Sequence, residues 1–210
     1  LDGAEVPLNT AQNWCPAPVG PVPNWDGPAH PECAMAWRVL AERDGRVLYS
    51  ARYAWPSPTR SKEPLRVLTE VLYEGALGSN VVRKLYAVQD DEAHVRLAPL
   101  RMVTIGQATV IESRVCMTAT GECGHELAAW SAGGIRAIDD RTIADIRLKL
   151  PTGFDLRMNP DVDLTALSGK GRAWSAHDRD CCPSAAIEFT LRLTGGELHV
   201  DALKFERRNG

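Results

Sequence analysis

The chain has 210 residues, a hydrophobic fraction of 44% and a formal net charge of −3. That is enough chain to bury a core of its own, and the charge balance leaves no basic stripe for nucleic acid and no basic amphipathic helix for a membrane surface. Its apolar runs are only a few residues long, far short of the ~20 that a membrane-spanning helix needs.

Residues 1–33 read as an irregular arm, with six prolines (Pro16, Pro18, Pro21, Pro23, Pro28 and Pro31) between Cys15 and Cys33. Proline lacks an amide donor and interrupts helix and central strand alike, so the arm is expected to pack on the body through Trp14 and Trp25. The body, 34–210, opens with a hairpin in which the runs 34–43 and 46–55 flank Asp44-Gly45, a strong short turn signal. Val47, Tyr49, Ala51, Tyr53 and Trp55 alternate on one face and Arg46, Leu48, Ser50 and Arg52 on the other, which predicts a half-buried strand. Ser61-Lys62-Glu63-Pro64 reads as a helix start, with Leu65, Leu68, Val71 and Leu72 at helical spacing and Gly75 or Gly78 as the stop.

Strands are predicted over 81–88, 93–97, 107–118, 126–131 and 135–138. Asp139 or Asp140 is placed to cap a second helix over 141–150, ended by Pro151. Three more strands follow at 164–174, 186–193 and 197–205, the last two joined at Gly195-Gly196. Most links are too short for parallel crossovers, which take about a dozen residues, so most pairs must be antiparallel. The expectation is one α+β domain: a mostly antiparallel sheet with two short helices, behind a Pro-rich arm and stapled by disulfides.

The six cysteines, Cys15, Cys33, Cys116, Cys123, Cys181 and Cys182, make an even set. Read as disulfides they place the protein in the periplasm or outside the cell, and a chain starting at Leu1 fits a mature form whose signal peptide has been removed. Their spacings do not match the C-x₂₋₄-C pairs that zinc favours. Cys116 and Cys123 close a six-residue turn, 117–122, and are the easiest pair. Cys181 and Cys182 either bond each other, leaving Cys15 with Cys33, or both reach back to the arm. Their place in a turn before Pro183 favours the local set.

The run Asp178-Arg179-Asp180-Cys181-Cys182-Pro183-Ser184, followed by an alternating strand and a Gly-rich turn, resembles the C-terminal part of the LppP/LprE-type lipoproteins and of other exported bacterial proteins. The resemblance covers 178–205; it implies an exported envelope protein and brings no activity with it. Cys116 and Cys123 followed by Gly124-His125 is similar to the disulfide-closed loop of periplasmic lysozyme inhibitors, in which a histidine-bearing loop plugs an enzyme cleft. That similarity, with the small polar composition of the turn, points to Thr118, Thr120 and His125 as partner-contacting residues.

His177, Asp178, Asp180, Cys181 and Cys182 would suit a soft metal only with free thiols; a thiol–disulfide switch at Cys181 and Cys182 would work without the C-x-x-C of redox enzymes and beside Asp178 and Asp180, which disfavour a thiolate. Asp155, Asn159, Asp161 and Asp163 gather oxygens, but Pro160 and Ala166 stand where a calcium loop needs Gly and Glu. His30, His94, His125, His177 and His199 are scattered, and the sequence holds no G-x-S-x-G, phosphate loop or dinucleotide fingerprint. No catalytic residue, cofactor or metal ligand is assigned. The sequence reads as a non-enzymatic exported domain that binds an unidentified protein or small ligand, or plays a structural role in the bacterial envelope. Its alternatives are an envelope-hydrolase inhibitor presenting the Cys116–Cys123 loop, and a thiol-redox or metal-binding protein built on Cys181 and Cys182.

Overall fold

A computed structural model describes residues 3–13, 34–56, 66–90, 95–117 and 119–207. In chain order the elements are β1 (Glu5–Pro7), α1 (Leu8–Asn13), β2 (Ala34–Arg43), β3 (Arg46–Pro56), β4 (Arg66–Ala76), β5 (Val81–Asp90), β6 (Val95–Leu97), β7 (Arg101–Ile105), β8 (Ala108–Met117), β9 (Cys123–Ser131), β10 (Gly134–Asp140), α2 (Thr142–Lys149), β11 (Phe154–Asp155), β12 (Asp161–Asp163), β13 (Ser168–Ser175), β14 (Ala185–Thr194) and β15 (Glu197–Arg207). The protein is therefore mostly sheet, with two short helices among the described residues. Neither helix is long and apolar enough to cross a membrane. The chain packs as two compact units, Leu1–Met102 with Ser113–Ala119, and Val103–Glu112 with Thr120–Gly210.

The first unit holds a five-stranded antiparallel sheet in the order β1-β5-β4-β3-β2. Asp44 and Gly45 have φ of 51° and 73°, the pair of positive values that lets a two-residue turn follow the twist of its strands. The predicted register holds: Val47, Ala51 and Tyr53 are buried, and Tyr49 packs with Ala51 and Tyr53 on one cluster. The side chain of Trp55 lies outside the described residues. The opposite face departs from expectation, because Leu48 and Ser50 are buried too. Segment 97–100 is tied down over it: Arg52 donates to the carbonyl of Leu97, and Arg38 to that of Leu100. The Leu100 N–H donates to both oxygens of Glu70 at 3.1 Å.

The helix predicted from Ser61 to Gly75 or Gly78 is instead β4, a central strand between β3 and β5; residues 61–65 lie outside the described ones. Thr69, Glu70, Val71, Leu72, Tyr73 and Glu74 are all buried. A strand covered on both faces loses its alternation, and the spacing of Leu68, Val71 and Leu72 then matches a helix by coincidence. The two glutamates, which look like solvent-facing helix positions, are buried carboxylates paired with Arg38, and with Arg46 and Arg83.

The expected irregular arm also gains structure at its start. β1 pairs with β5, and α1 places Ala11 in the core, where the Tyr53 hydroxyl donates to its carbonyl at 3.1 Å. The Pro-rich stretch 14–33, with Cys15 and Cys33, lies outside the described residues.

The second unit orders its strands β11-β13-β14-β15-β10-β9-β8, with β12 on β13 and β7 on β8. The pairs β11–β13, β12–β13, β13–β14, β14–β15 and β9–β10 are antiparallel, whereas β10 and β15 run parallel through Asp139↔Glu197 and Asp140↔Leu198. The intervening chain carries α2, close to its predicted place, with the Thr142 N–H on the Asp140 carboxylate at 2.9 Å. Ile146 of α2 packs into a core with Leu164, Ile187, Phe189, Leu198 and Val200. A Cβ on Gly169 would meet the Phe189 ring at 2.2 Å and the carbonyl oxygen of Asp161 at 2.7 Å, so only glycine lets the ring lie across β13. Strands β8, β9, β10, β14 and β15 fall within three residues of prediction at each end. The predicted strand 164–174 starts only at Ser168, after a turn in which Leu167 has φ of 48°.

Candidate functional site

The described residues singled out in the sequence fall into separate places: Cys116 in the first unit, and Thr120, Cys123, His125, Cys181 and Cys182 in the second. Cys181 and Cys182 bond each other. Cys116 and Cys123 are both disulfide-bonded, and no described cysteine is free. Thr118 lies outside the described residues. Thr120 is exposed on the turn between β8 and β9, where its hydroxyl donates to the Glu122 carboxylate at 3.3 Å. The other oxygen of Glu122 accepts the Asn159 N–H at 3.0 Å, which anchors the base of the turn.

His125 is not on that turn. It sits on β9 with its ring between two carboxylates: Nδ1 lies 3.4 Å from Glu112 of β8 and Nε2 lies 2.7 Å from Asp140 of β10. Burial disfavours a charged ring, but hydrogen bonds to Asp140 and Glu112 outweigh it and raise the pKa from 6.5 to about 9. Asp140 shows the reverse: burial disfavours its charge, yet hydrogen bonds from His125 and Thr142 hold it below its ordinary value. At neutral pH the ring is a cation clamped across three adjacent strands. It has no lone pair with which to act as a base.

The conspicuous run near the C-terminus is a tied loop. Asp178 accepts four hydrogen bonds, from the N–H and hydroxyl of Ser175 and from the N–H and hydroxyl of Ser184. Led by the Ser184 hydroxyl, they hold its carboxyl well below the usual carboxylate range. Arg157 binds the loop at the carbonyls of Ser175 and Asp178 and at the Asp180 carboxylate. The Trp174 indole donates to the Asp180 carbonyl at 3.2 Å. His177 is exposed. No described group of three His, Cys, Asp or Glu residues is arranged to hold a metal ion.

Among the described residues, an open groove with room for a ligand lies on a face that sequence reading missed. On the outer face of β12 to β15, register aligns Asp161, Lys170, Glu188 and Lys204 in one row across four strands. Their charges alternate in sign, and Lys204 Nζ lies 4.0 Å from Glu188 and 2.6 Å from Glu206. The neighbouring row is Asp163, Ser168, Thr190 and Ala202. Its last three side chains are short, so the charged row walls an open groove of about 670 Å³ with Ser168, Thr190 and Ala202 as its floor. That volume is in the range of small-ligand sites. A bulge shapes it: the register slips between Thr190 and Leu191, and Thr190 Oγ1 accepts the Ala202 N–H at 3.2 Å. The alternation of 186–193 signals an outward Glu188 and Thr190, but nothing local announces their cross-strand partners.

A smaller recess of about 340 Å³ lies between Asp145, Leu148, Lys149, Arg192 and His199. His199 bridges Glu197 at 2.9 Å and Asp145 at 3.1 Å, and both carboxylates hold its pKa above the ordinary value.

Compared with protein-family models, curated proteins and solved structures, the chain matches none.

Proposed function

We propose that this chain is an exported binding protein of the bacterial envelope, non-enzymatic, which takes an extended, uncharged, hydroxyl-rich ligand such as a glycan chain along the groove over β12 to β15. The observation that carries this reading is the alternating row Asp161, Lys170, Glu188 and Lys204 beside a floor of Ser168, Thr190 and Ala202. Carboxylates accept from sugar hydroxyls, ammonium groups donate to them, and the floor hydroxyls do both. Three carboxylates (Asp161, Asp163 and Glu188) and two ammonium groups (Lys170 and Lys204) line the groove, so an anionic ligand gains little advantage there. Disulfides at Cys116, Cys123, Cys181 and Cys182 support an oxidising compartment.

The test is a titration of isotope-labelled protein with a neutral oligosaccharide, chitotetraose first, followed by amide chemical shifts. Saturable shifts confined to Ser168, Lys170, Thr190, Ala202 and their neighbours are expected. Shifts absent from this face across a panel of neutral oligosaccharides would end the reading.

One observation favours a second reading, inhibition of an envelope hydrolase. Ala119, Thr120 and Gly121 are exposed at a turn whose flanking cysteines are both bonded, and Glu122 anchors its base. A turn fixed in this way loses little entropy on docking. Inhibition of a muramidase that disappears on Thr120→Lys supports it; an uninhibited muramidase removes it.

A further inference from the structure

The bond between Cys181 and Cys182 does little to hold the fold together. A disulfide stabilises mainly by closing a loop in the unfolded chain. These two residues are neighbours with Cα atoms 3.8 Å apart, the spacing any trans peptide sets, so almost no loop is closed. The segment that carries them is fixed by other means. Asp178 joins Ser175 to Ser184 through four hydrogen bonds. Arg157 grips Ser175, Asp178 and Asp180, and Trp174 holds the Asp180 carbonyl. Both cysteines are exposed, whereas Cys116 and Cys123 are only partly so. Opening the Cys181–Cys182 bond thus frees two thiols without releasing anything from the core, and the tied loop keeps them side by side for closing again.

We propose that Cys181 and Cys182 form a thiol–disulfide exchange site whose partner is an external dithiol. A partner thiolate attacks one of the two sulfurs; the Sγ–Sγ bond breaks, and the other cysteine leaves as a thiolate and takes up a proton. The partner's second thiol then attacks the mixed disulfide and releases the remaining cysteine, which is protonated in turn. Two electrons and two protons pass from the partner, which ends as a disulfide, to Cys181 and Cys182, which end as thiols. The reverse sequence restores the bond. The charge of Asp180, which would disfavour a thiolate beside it, is offset by its ion pair with Arg157. This site is independent of the groove and stands whether or not the groove binds a glycan.

The experiment exposes the native oxidised protein to graded dithiothreitol, traps thiols with iodoacetamide and locates them by mass spectrometry. Cys181 and Cys182 are expected to open at dithiothreitol concentrations at least about tenfold below those that open Cys116 and Cys123, with the melting temperature kept within about 2 °C. A doublet that opens only together with Cys116 and Cys123, or whose reduction lowers the melting temperature further than that, overturns the proposal. The double variant Cys181→Ser with Cys182→Ser is expected to melt as the parent does and to lose the rapid oxidation of dithiothreitol. Retention of that oxidation at the parent rate would also overturn it.

Discussion

The two units treat a charged sheet face in opposite ways. In the first, Glu70 is fully buried on β4 and spends its oxygens on Arg38, Ser50 and the Leu100 N–H. Those contacts seat segment 97–100 over the sheet, and the central strand β4 is buried on both faces from Thr69 to Glu74. In the second, Asp161, Lys170, Glu188 and Lys204 occupy an equivalent outward row on β12 to β15 and remain exposed. The same residue types act as fasteners where chain covers them and stand as an open charged row where it does not. Burial, not composition, separates the roles. Histidine joins arginine as a partner of buried carboxylates in the second unit: His125 lies against Glu112, where arginines meet Glu70 and Glu74 in the first.

The largest expected effect breaks the comparison if it fails. Glu70→Ala strips the buried Leu100 N–H and Ser50 hydroxyl of their Glu70 acceptor, while half-exposed Arg38 keeps the Leu100 carbonyl, and should lower unfolding free energy by about 1–3 kcal/mol for each of the two stranded donors. Glu188→Ala, on the open row, should cost less than about 1 kcal/mol. Urea titration of both variants decides it; equal losses would erase the distinction between fastener and surface.

The next effect sharpens the contrast between arginine and histidine. The folded-state pKa of His125 is raised from 6.5 to about 9, so the protonated ring stabilises the folded form. That contribution is fully present below pH 6.5 and is lost as pH rises through about 9. The loss should be on the order of 3 kcal/mol. Arginine does not titrate in this window, so amide protection, after correction for the base-catalysed rise of intrinsic exchange with pH, should fall around Glu112, His125 and Asp140 and stay unchanged in β3 to β5. His125→Gln should flatten the pH dependence; a variant as pH-sensitive as the parent would show that another group is responsible.

A smaller effect concerns the packing of the Phe189 ring against β13 at Gly169. Gly169→Ala forces its new methyl against the Phe189 ring and the Asp161 carbonyl, and should cost about 1–3 kcal/mol. Gly124→Ala, with nothing within 4 Å of the added Cβ, should stay within about 0.5 kcal/mol in thermal unfolding.

Local signals carried much of the sheet. Asp44-Gly45 and Gly195-Gly196 fixed hairpins whose turns sit where the residues say, because turn chemistry needs no distant partner. β4 was illegible for the opposite reason: what makes it a strand is the segment covering Glu70, which no window of sequence contains. The groove was hidden by a single bulge. Counted back from the Gly195-Gly196 turn, an unbroken ladder would pair Thr190 with Asp201, whereas the bulge sets it against Ala202. A one-residue slip exchanges an acidic side chain for a methyl on the floor. The clamp on His125 draws on Glu112, Asp140 and Thr142, which only the folding of β8 to β10 brings together. In the Asp178 run the residues were visible but their work was not: Asp178 and Ser184 close a loop, and the adjacent cysteines ride on it.

The central claim is that the outer face of β12 to β15 is where this protein meets its ligand. Isothermal titration with chitotetraose tests it most directly, comparing the parent with Thr190→Arg, which fills the floor of the groove from an exposed position. The account predicts saturable binding by the parent and at least about a tenfold weaker constant for the variant, a difference of about 1.4 kcal/mol. Binding that survives Thr190→Arg unchanged but is lost in Thr120→Lys would move the contact to the β8–β9 turn and contradict it.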